Sequence, residues 1–361
     1  MPSRTVKTGI IGCGSIAFGK HLPALASIPE TRIAAFCDIF EDRAYRAAKE
    51  YGAPGSRTYA DYRDLLTDPS ITAVHVCTPN KSHSFISIDA LNAGKHVMCE
   101  KPMARTSAEA QMMLETSRST GKLLTVGYQN RFRPDSIYLK NACDHGDLGE
   151  VYFAKAHAVR RRKVPTHGVY LNAGEQGGGP LIDIGTHALD LTLWLMNNYQ
   201  PRSVLGNVYK KLNDNGQCGN AFGDWRPEDY TSEDSAFGFI TMKNGASIFL
   251  ESSWALNTLD EGEAITTLCG TKAGADMRDG VRINFDEYNK LVVKKPELIN
   301  TGAGYSNDVL QEEAYIEQRV FYDAVLYNRP LTVLPEQTLV VTQILESIYT
   351  SSRTGKQVIF Y

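Results

Sequence analysis

The first 127 residues alternate between two hydrophobic rhythms. Short, nearly continuous apolar runs at residues 8–11, 32–38, 73–79, 96–100 and 123–128 are bounded by turn residues and read as strands. Between them, residues 41–52, 82–94 and 107–121 read as amphipathic helices. These helices close on Gly52, Gly94 and Gly121. Strands that are apolar at successive positions are buried on both faces, and strand–helix alternation implies right-handed crossovers. The pattern predicts an α/β Rossmann domain with a parallel sheet over residues 1–127.

After residue 128 the rhythm changes. Residues 150–161, 203–212, 235–243, 246–256, 264–270 and 281–295 read as longer, alternating strands. Asn244-Gly245, between two of them, is a two-residue hairpin signal. Helices are predicted over 180–198, over 310–328 and after Pro335. Residues 128–361 are therefore expected to form an α+β domain with an open, mainly antiparallel sheet and helices on one face. A bare sheet face needs a partner, so a homo-oligomer (a dimer, tetramer or higher) is expected.

Composition narrows the partners. The net charge of -3 leaves no electrostatic footprint for nucleic acid or an anionic membrane, so a small molecule is the expected ligand. The seven cysteines form no CxxC pair, and their odd number argues against a disulfide framework. Cys37, Cys77 and Cys99 sit in apolar runs, as reduced cysteines do. The N-terminus runs straight into a strand without a signal-type apolar region, and no apolar stretch reaches a membrane-spanning length. A soluble, cytoplasmic protein is expected.

Three motifs carry chemistry. In GIIGCGSIAFG, residues 9–19, Gly12 permits a tight turn, Gly14 lets backbone approach a pyrophosphate, and Ala17 allows close helix packing. Ser15 and Ile16 open the helix whose free N–H groups would meet the phosphates. Asp38 ends the second strand, where a carboxylate accepts from ribose hydroxyls and repels a 2′-phosphate. That favours NAD over NADP, although Arg43 nearby leaves some tolerance. Thr78-Pro79-Asn80 and Glu100-Lys101-Pro102 follow two further strands, at the edge where doubly wound sheets bind ligands. Lys101 is a candidate donor to a reacting hydroxyl.

The third motif is GGGPLIDIGTHALDLTLWL, residues 177–195. Asp183 and His187 lie four apart on one face of a predicted helix, with Gly177-Gly178-Gly179 just before it. Histidine suits a general base at neutral pH and a nearby carboxylate can orient it, while a structural histidine fits the spacing equally well. No third ligand stands at a telling distance, so no metal is expected. Between strand and helix, residues 159–176 carry Arg160, Arg161, Arg162, Lys163, His167, Tyr170 and Asn172, either as a solvated basic loop or as contacts to a substrate.

Taken in order, GIIGCGSIA, CTPNKSHS (77–84), HVMCEKPMA (96–104), VGYQNRF (126–132) and GGGPLIDIGTHALDLTLWLM (177–196) closely resemble the Gfo/Idh/MocA oxidoreductases, the family of glucose–fructose oxidoreductase and inositol dehydrogenases. The resemblance implies a Rossmann domain, a second domain with an open sheet, and a sugar or polyol substrate in the cleft between them. It also implies oligomers built through that sheet. Lys101, Asp183 and His187 fall on the family's catalytic lysine, acid and histidine, and Lys101-Pro102 on its cis peptide. His83, Glu100 and Gln129 fall within the matched motifs and join the expected NAD contacts with Gly12, Gly14, Ser15, Ile16, Asp38, Thr78, Asn80 and Lys101. Substrate contacts are expected from Lys101, Arg160, His167, Tyr170, Asp183 and His187. The segment 159–176 is similar to that of members which oxidise glycosides at the C3 hydroxyl.

The implied activity is NAD(H)-dependent oxidation of a secondary hydroxyl of a sugar, glycoside or inositol. Two alternatives stand beside it. One is a glycosidase or lyase that oxidises its substrate transiently, with no net redox. The other is a non-catalytic regulator that binds sugar or NAD, a reading against which intact Lys101, Asp183 and His187 speak.

Overall fold

A computed structural model describes residues 5–217, 219–298 and 309–361. They cluster into two compact units: residues 5–132 with 309–339, and residues 133–298 with 340–361.

The first unit is built on six parallel strands: β1 (Val6–Ile11), β2 (Thr31–Cys37), β3 (Arg57–Tyr59), β4 (Ala73–Val76), β5 (His96–Cys99) and β6 (Leu124–Val126). Their order is β3-β2-β1-β4-β5-β6, so the strand sequence reverses direction between β1 and β4. All four residues of β4 are buried, as expected for a central parallel strand covered on both faces. The sequence reading missed β3, whose three residues are exposed or half-buried at the sheet edge and carry no apolar rhythm.

Residues after 127 were all expected in the second domain. The structure places 309–339 with the first unit, for a packing reason. Helix Val309–Tyr327 inserts Phe321, Tyr322 and Leu326 into the core formed by Ile10, Phe36 and Met98. Arg131 is fully buried and donates from Nη1 to Thr332 O and to Gln337 Oε1, at 3.0 and 2.6 Å.

The second unit contains β7 (Val151–Val159), β8 (Pro201–Tyr209), β9 (Ser235–Met242), β10 (Ser247–Ser253), β11 (Gly262–Gly270), β12 (Ala273–Asp276), β13 (Arg282–Glu287), β14 (Lys290–Lys294) and β15 (Val358–Ile359). They make one sheet in the order β14-β13-β12-β11-β7-β10-β9-β8-β15. Every pairing is antiparallel except β7 with β10. The Asn244-Gly245 hairpin joins β9 to β10, with Gly245 at φ 93°. Residues 281–295, read as one strand, are two: the chain reverses at Tyr288 and Asn289, both in the left-handed region. Helix Thr186–Met196 packs on β7 and β11 and covers one face of the sheet.

The helix predicted over 180–198 is also composite. Leu181–Gly185 is a π-helical turn, and the α-helix begins only at Thr186. Single π turns of this kind concentrate at functional sites.

Candidate active site

The Rossmann motifs converge on the carboxyl edge of the first sheet. Gly12 has φ +93°, and a Cβ there would lie 2.7 Å from the Cys77 carbonyl, so both conformation and space require glycine. Above Gly14 no protein atom lies within 4 Å of a Cβ position, whereas Ala17 is fully buried. Ser15 and Ile16 are exposed beside it. Asp38 accepts from the Cys13 N–H at 2.8 Å and the Phe40 N–H at 2.9 Å, which fixes its carboxylate at the end of β2. The Arg43 guanidinium lies 4.4 Å from the Phe40 ring centroid.

Thr78 and Asn80 lie on the turn after β4, and Thr78 Oγ1 is buried with no hydrogen-bond partner among the described residues. An orphan buried hydroxyl is costly unless a ligand satisfies it. With the open space at Gly14 and the preset Asp38, this edge fits a dinucleotide. Lys101 is half-buried and precedes the cis-proline Pro102.

Two of the residues expected to contact the cofactor do structural work in the fold. His83 is fully buried, and its ring nitrogens lie 2.8 Å from the carbonyls of Thr78 and Pro102, so it ties the two turns together. Glu100 belongs to a buried ionic cluster behind Lys101. Its Oε1 accepts from Lys20 Nζ at 2.7 Å and from His21 Nε2 at 2.8 Å, and its Oε2 accepts from the Lys101 N–H at 3.1 Å. Burial alone would raise the Glu100 pKa. Lys20 and His21 overcome it and hold the carboxyl well below the usual range. Lys20 also reaches Glu317 at 2.9 Å and Gln129 Oε1 at 3.3 Å. Burial opposes its charge, but Glu100 and Glu317 hold the ammonium above its ordinary pKa.

In the second unit Asp183 sits on the π turn and His187 one turn later, both half-buried. Asp183 Oδ2 accepts from the indole Nε1–H of fully buried Trp254 at 3.0 Å. Trp254 packs on Tyr230, and Tyr230 on Trp225, with ring centroids 6.2 and 5.9 Å apart. Ahead of the turn, Glu233 Oε1 accepts from Tyr349 Oη at 2.7 Å, Gly179 N at 2.9 Å and Leu181 N at 3.3 Å. This explains the glycine run: a Cβ on Gly178 would lie 2.0 Å from Tyr349 Oη, and one on Gly179 2.3 Å from Glu233 O. Gly178 and Gly179 admit partners to the helix start.

The basic segment divides. Arg160 forms a two-pronged pair with Glu263 at 2.8 and 2.7 Å. Burial disfavours its charge, yet Glu263, Asp183 and Tyr170 raise its pKa. His167 is exposed and meets Tyr170 and Phe222 edge-on, centroids 5.2 and 6.1 Å apart. Asn172 caps the helix Ala173–Gln176, accepting from Gly174 N and Glu175 N. Arg161, Arg162, Lys163, Gly219 and Glu261 line a hollow of about 340 Å³. A larger one of about 430 Å³, near His96 and Leu123, lies at the amino ends of β5 and β6, the wrong edge of the sheet for a doubly wound fold's ligand.

Among the described residues no group of three metal-ligating side chains comes together, and no helix is long and apolar enough to cross a membrane. The described cysteines are all free, and Cys218 lies outside the described residues. The sequence reading missed Lys20, His21, His75, Glu233, Trp254, Glu263, Glu317, Tyr322 and Tyr349. Only the histidine inside the apolar run of β4 and the Lys20-His21 pair before LPAL broke a local pattern.

Residues 6–128 match the NAD-binding Rossmann-fold model of the Gfo/Idh/MocA oxidoreductase family, and residues 137–276 match its C-terminal domain. The chain is 34% identical over 359 residues to D-glucoside 3-dehydrogenase of Escherichia coli K12, covering 99% of this chain and 98% of that protein. Inositol 2-dehydrogenase of Salmonella typhimurium is 31% identical over 195 residues, 54% of this chain and 55% of that one. Among solved structures, levoglucosan dehydrogenase with NADH and levoglucosan superposes with a TM-score of 0.82 at 20% identity, covering 98% and 99% of the two chains. Aldose-aldose oxidoreductase from Caulobacter crescentus gives 0.77 at 22%, covering 99% and 100%. The structural likenesses establish the fold, and the end-to-end sequence match establishes descent: the chain belongs to the Gfo/Idh/MocA oxidoreductase family.

Proposed function

We propose that this protein is an NAD-dependent dehydrogenase that oxidises a secondary hydroxyl of a sugar or glycoside, with the C3 hydroxyl of a glucoside as the preferred position. The observation that carries this reading is the 34% identity to a D-glucoside 3-dehydrogenase along essentially the whole of both chains. Bound NAD would supply the hydride acceptor. Gly12, Gly14, Ser15, Ile16, Thr78 and Asn80 would hold its diphosphate and nicotinamide portions. Asp38, already oriented by two backbone amides, favours the free ribose diol over a 2′-phosphate.

On the substrate side, His187 takes the proton from the reacting hydroxyl and Asp183, steadied by Trp254, supplies the adjacent negative charge. Lys101 would donate to a substrate hydroxyl and stabilise the charge it develops. His167, Tyr170 and Arg160 contribute contacts to the sugar. A homo-oligomer is proposed because the uncovered sheet face carries a cross-strand row, Leu205–Phe239–Phe249, with Leu205 49% and Phe239 45% exposed.

The test is NADH absorbance with NAD and a panel of free sugars, inositols and O- and C-glycosides, repeated with NADP. Turnover of a glucoside with a strong NAD preference is expected, and Lys101→Ala should lose roughly 10²–10⁴-fold in kcat while still binding NAD. Wild-type turnover in Lys101→Ala would remove the lysine from the mechanism. Aglycone release without NADH would replace the dehydrogenase reading with transient oxidation.

A further inference from the structure

Behind the Glu100-Lys101-Pro102 turn runs a buried polar chain that the proposed chemistry leaves unused. Thr8 Oγ1 lies 2.8 Å from Tyr322 Oη, and Tyr322 Oη 2.9 Å from His75 Nε2. His75 Nδ1 lies 2.8 Å from His21 Nδ1, and His21 Nε2 2.8 Å from Glu100 Oε1. Thr8, His21, His75 and Tyr322 all have 0% exposure, so bulk solvent reaches none of these bonds.

Both ends fix the direction of the chain. Glu100 is a carboxylate paired with Lys20 at 2.7 Å and only accepts, so His21 Nε2 carries a proton. At the other end the Thr8 hydroxyl has one partner among the described residues. Its O–H therefore donates to Tyr322, since the opposite polarity leaves a buried donor with no acceptor. Tyr322 then has its own O–H to give, and His75 Nε2 accepts it. His75 keeps its proton on Nδ1 and donates it to His21 Nδ1. Every donor meets an acceptor with both rings neutral.

We infer that Thr8, Tyr322, His75 and His21 form a one-way hydrogen-bond chain ending on Glu100, with neutral His75 protonated at Nδ1 and neutral His21 at Nε2, and that it holds Glu100 as acceptor of the Lys101 N–H. His21 and His75 are thus positioning residues for Lys101. The surroundings agree. His21 faces Glu100, Lys20 and His75; His75 faces His21, Tyr322 and the Phe321 ring. Burial lowers the pKa of both histidines, against the pull of Glu100. The functional half of the inference rests on the reading of Lys101 given above; the protonation half does not.

The experiment is two-armed. In the full-length protein labelled with ¹⁵N-histidine, long-range ¹H–¹⁵N spectra should show His21 as the Nε2–H tautomer and His75 as the Nδ1–H tautomer, neither titrating across the neutral range. An imidazolium at His21, or a proton on Nε2 of His75, overturns the chain. In the second arm, Tyr322→Phe and His75→Leu should lower kcat roughly ten- to a hundredfold with NAD affinity and KM little changed. His75→Asn, which keeps a side-chain N–H toward His21, should recover most of the loss. Variants that lose stability yet keep wild-type kcat overturn the positioning role. The spectra need no turnover, so failure of the dehydrogenase reading is distinguishable from failure of the chain.

Discussion

Two glutamates, one in each unit, are almost equally buried and behave in opposite ways. Glu100 is 5% exposed and Glu233 3%. Glu100 faces the cation of Lys20, and its carboxyl is held well below the usual range. Glu233 faces only neutral donors, and burial raises its pKa despite Tyr349 and two amides. Both fix a motif, the E-K-P turn in one case and the start of the Asp183 helix in the other. With nearly equal burial, the opposite directions of the two shifts follow the partner: a formal cation offsets the burial of Glu100, and neutral donors do not offset that of Glu233.

The strongest way to break the comparison is to remove the cation. Lys20→Met leaves Glu100 and Glu317 buried without their shared partner and should destabilise the protein by about 3–5 kcal/mol in denaturant titration. A loss below about 1 kcal/mol, the scale of an ordinary neutral hydrogen bond, would erase the distinction between the two sites. A smaller effect is expected at the helix. Trp254→Phe deletes the N–H that holds Asp183 while keeping an aromatic ring against Tyr230, and should cost roughly tenfold in kcat with modest loss of stability. Unchanged kcat would show that Asp183 needs no such support.

The gentlest test uses pH. A lowered pKa at Glu100 gives stability that is present above the unfolded carboxyl pKa and lost as pH falls. A raised pKa at Glu233 gives the reverse, stability present at acid pH and lost as pH rises through the folded value. Glu233→Gln keeps an acceptor oxygen and cannot ionise, so its melting temperature relative to wild type should climb between mildly acidic and neutral pH. A flat difference would mean that Glu233 does not titrate in that window.

How much of this was legible depends on range. Five of the six strands of the first sheet, the glycine turn, Asp38 and the E-K-P turn announce themselves because each signal is local; β3, with no apolar rhythm, does not. The Asp183/His187 pair was visible as a spacing, but the π turn beneath it was not, since LIDIG has nothing that an α-helix would refuse. The partners were the least readable. Lys20 and Glu317 are 297 residues apart and Thr8 and Tyr322 314 apart, and only the packed fold brings them together. Gly178 and Gly179 are places where Tyr349 and Glu233 press in, contacts that the local sequence around them does not reveal.

The placement of residues 309–339 has a consequence for how the chain is made. Chains emerge from the ribosome N-terminus first, and early domains usually fold before later ones are synthesised. Here the nascent Rossmann unit must wait: Phe321 and Tyr322 for its core, Glu317 for Lys20 and the Thr332 carbonyl for Arg131 arrive only after the whole strand series from β7 to β14 has been translated. A fragment ending near residue 132 therefore carries the nucleotide motifs without the groups that neutralise and fill its interior. Such a fragment is a natural client for a chaperone and a poor choice for producing the cofactor domain alone.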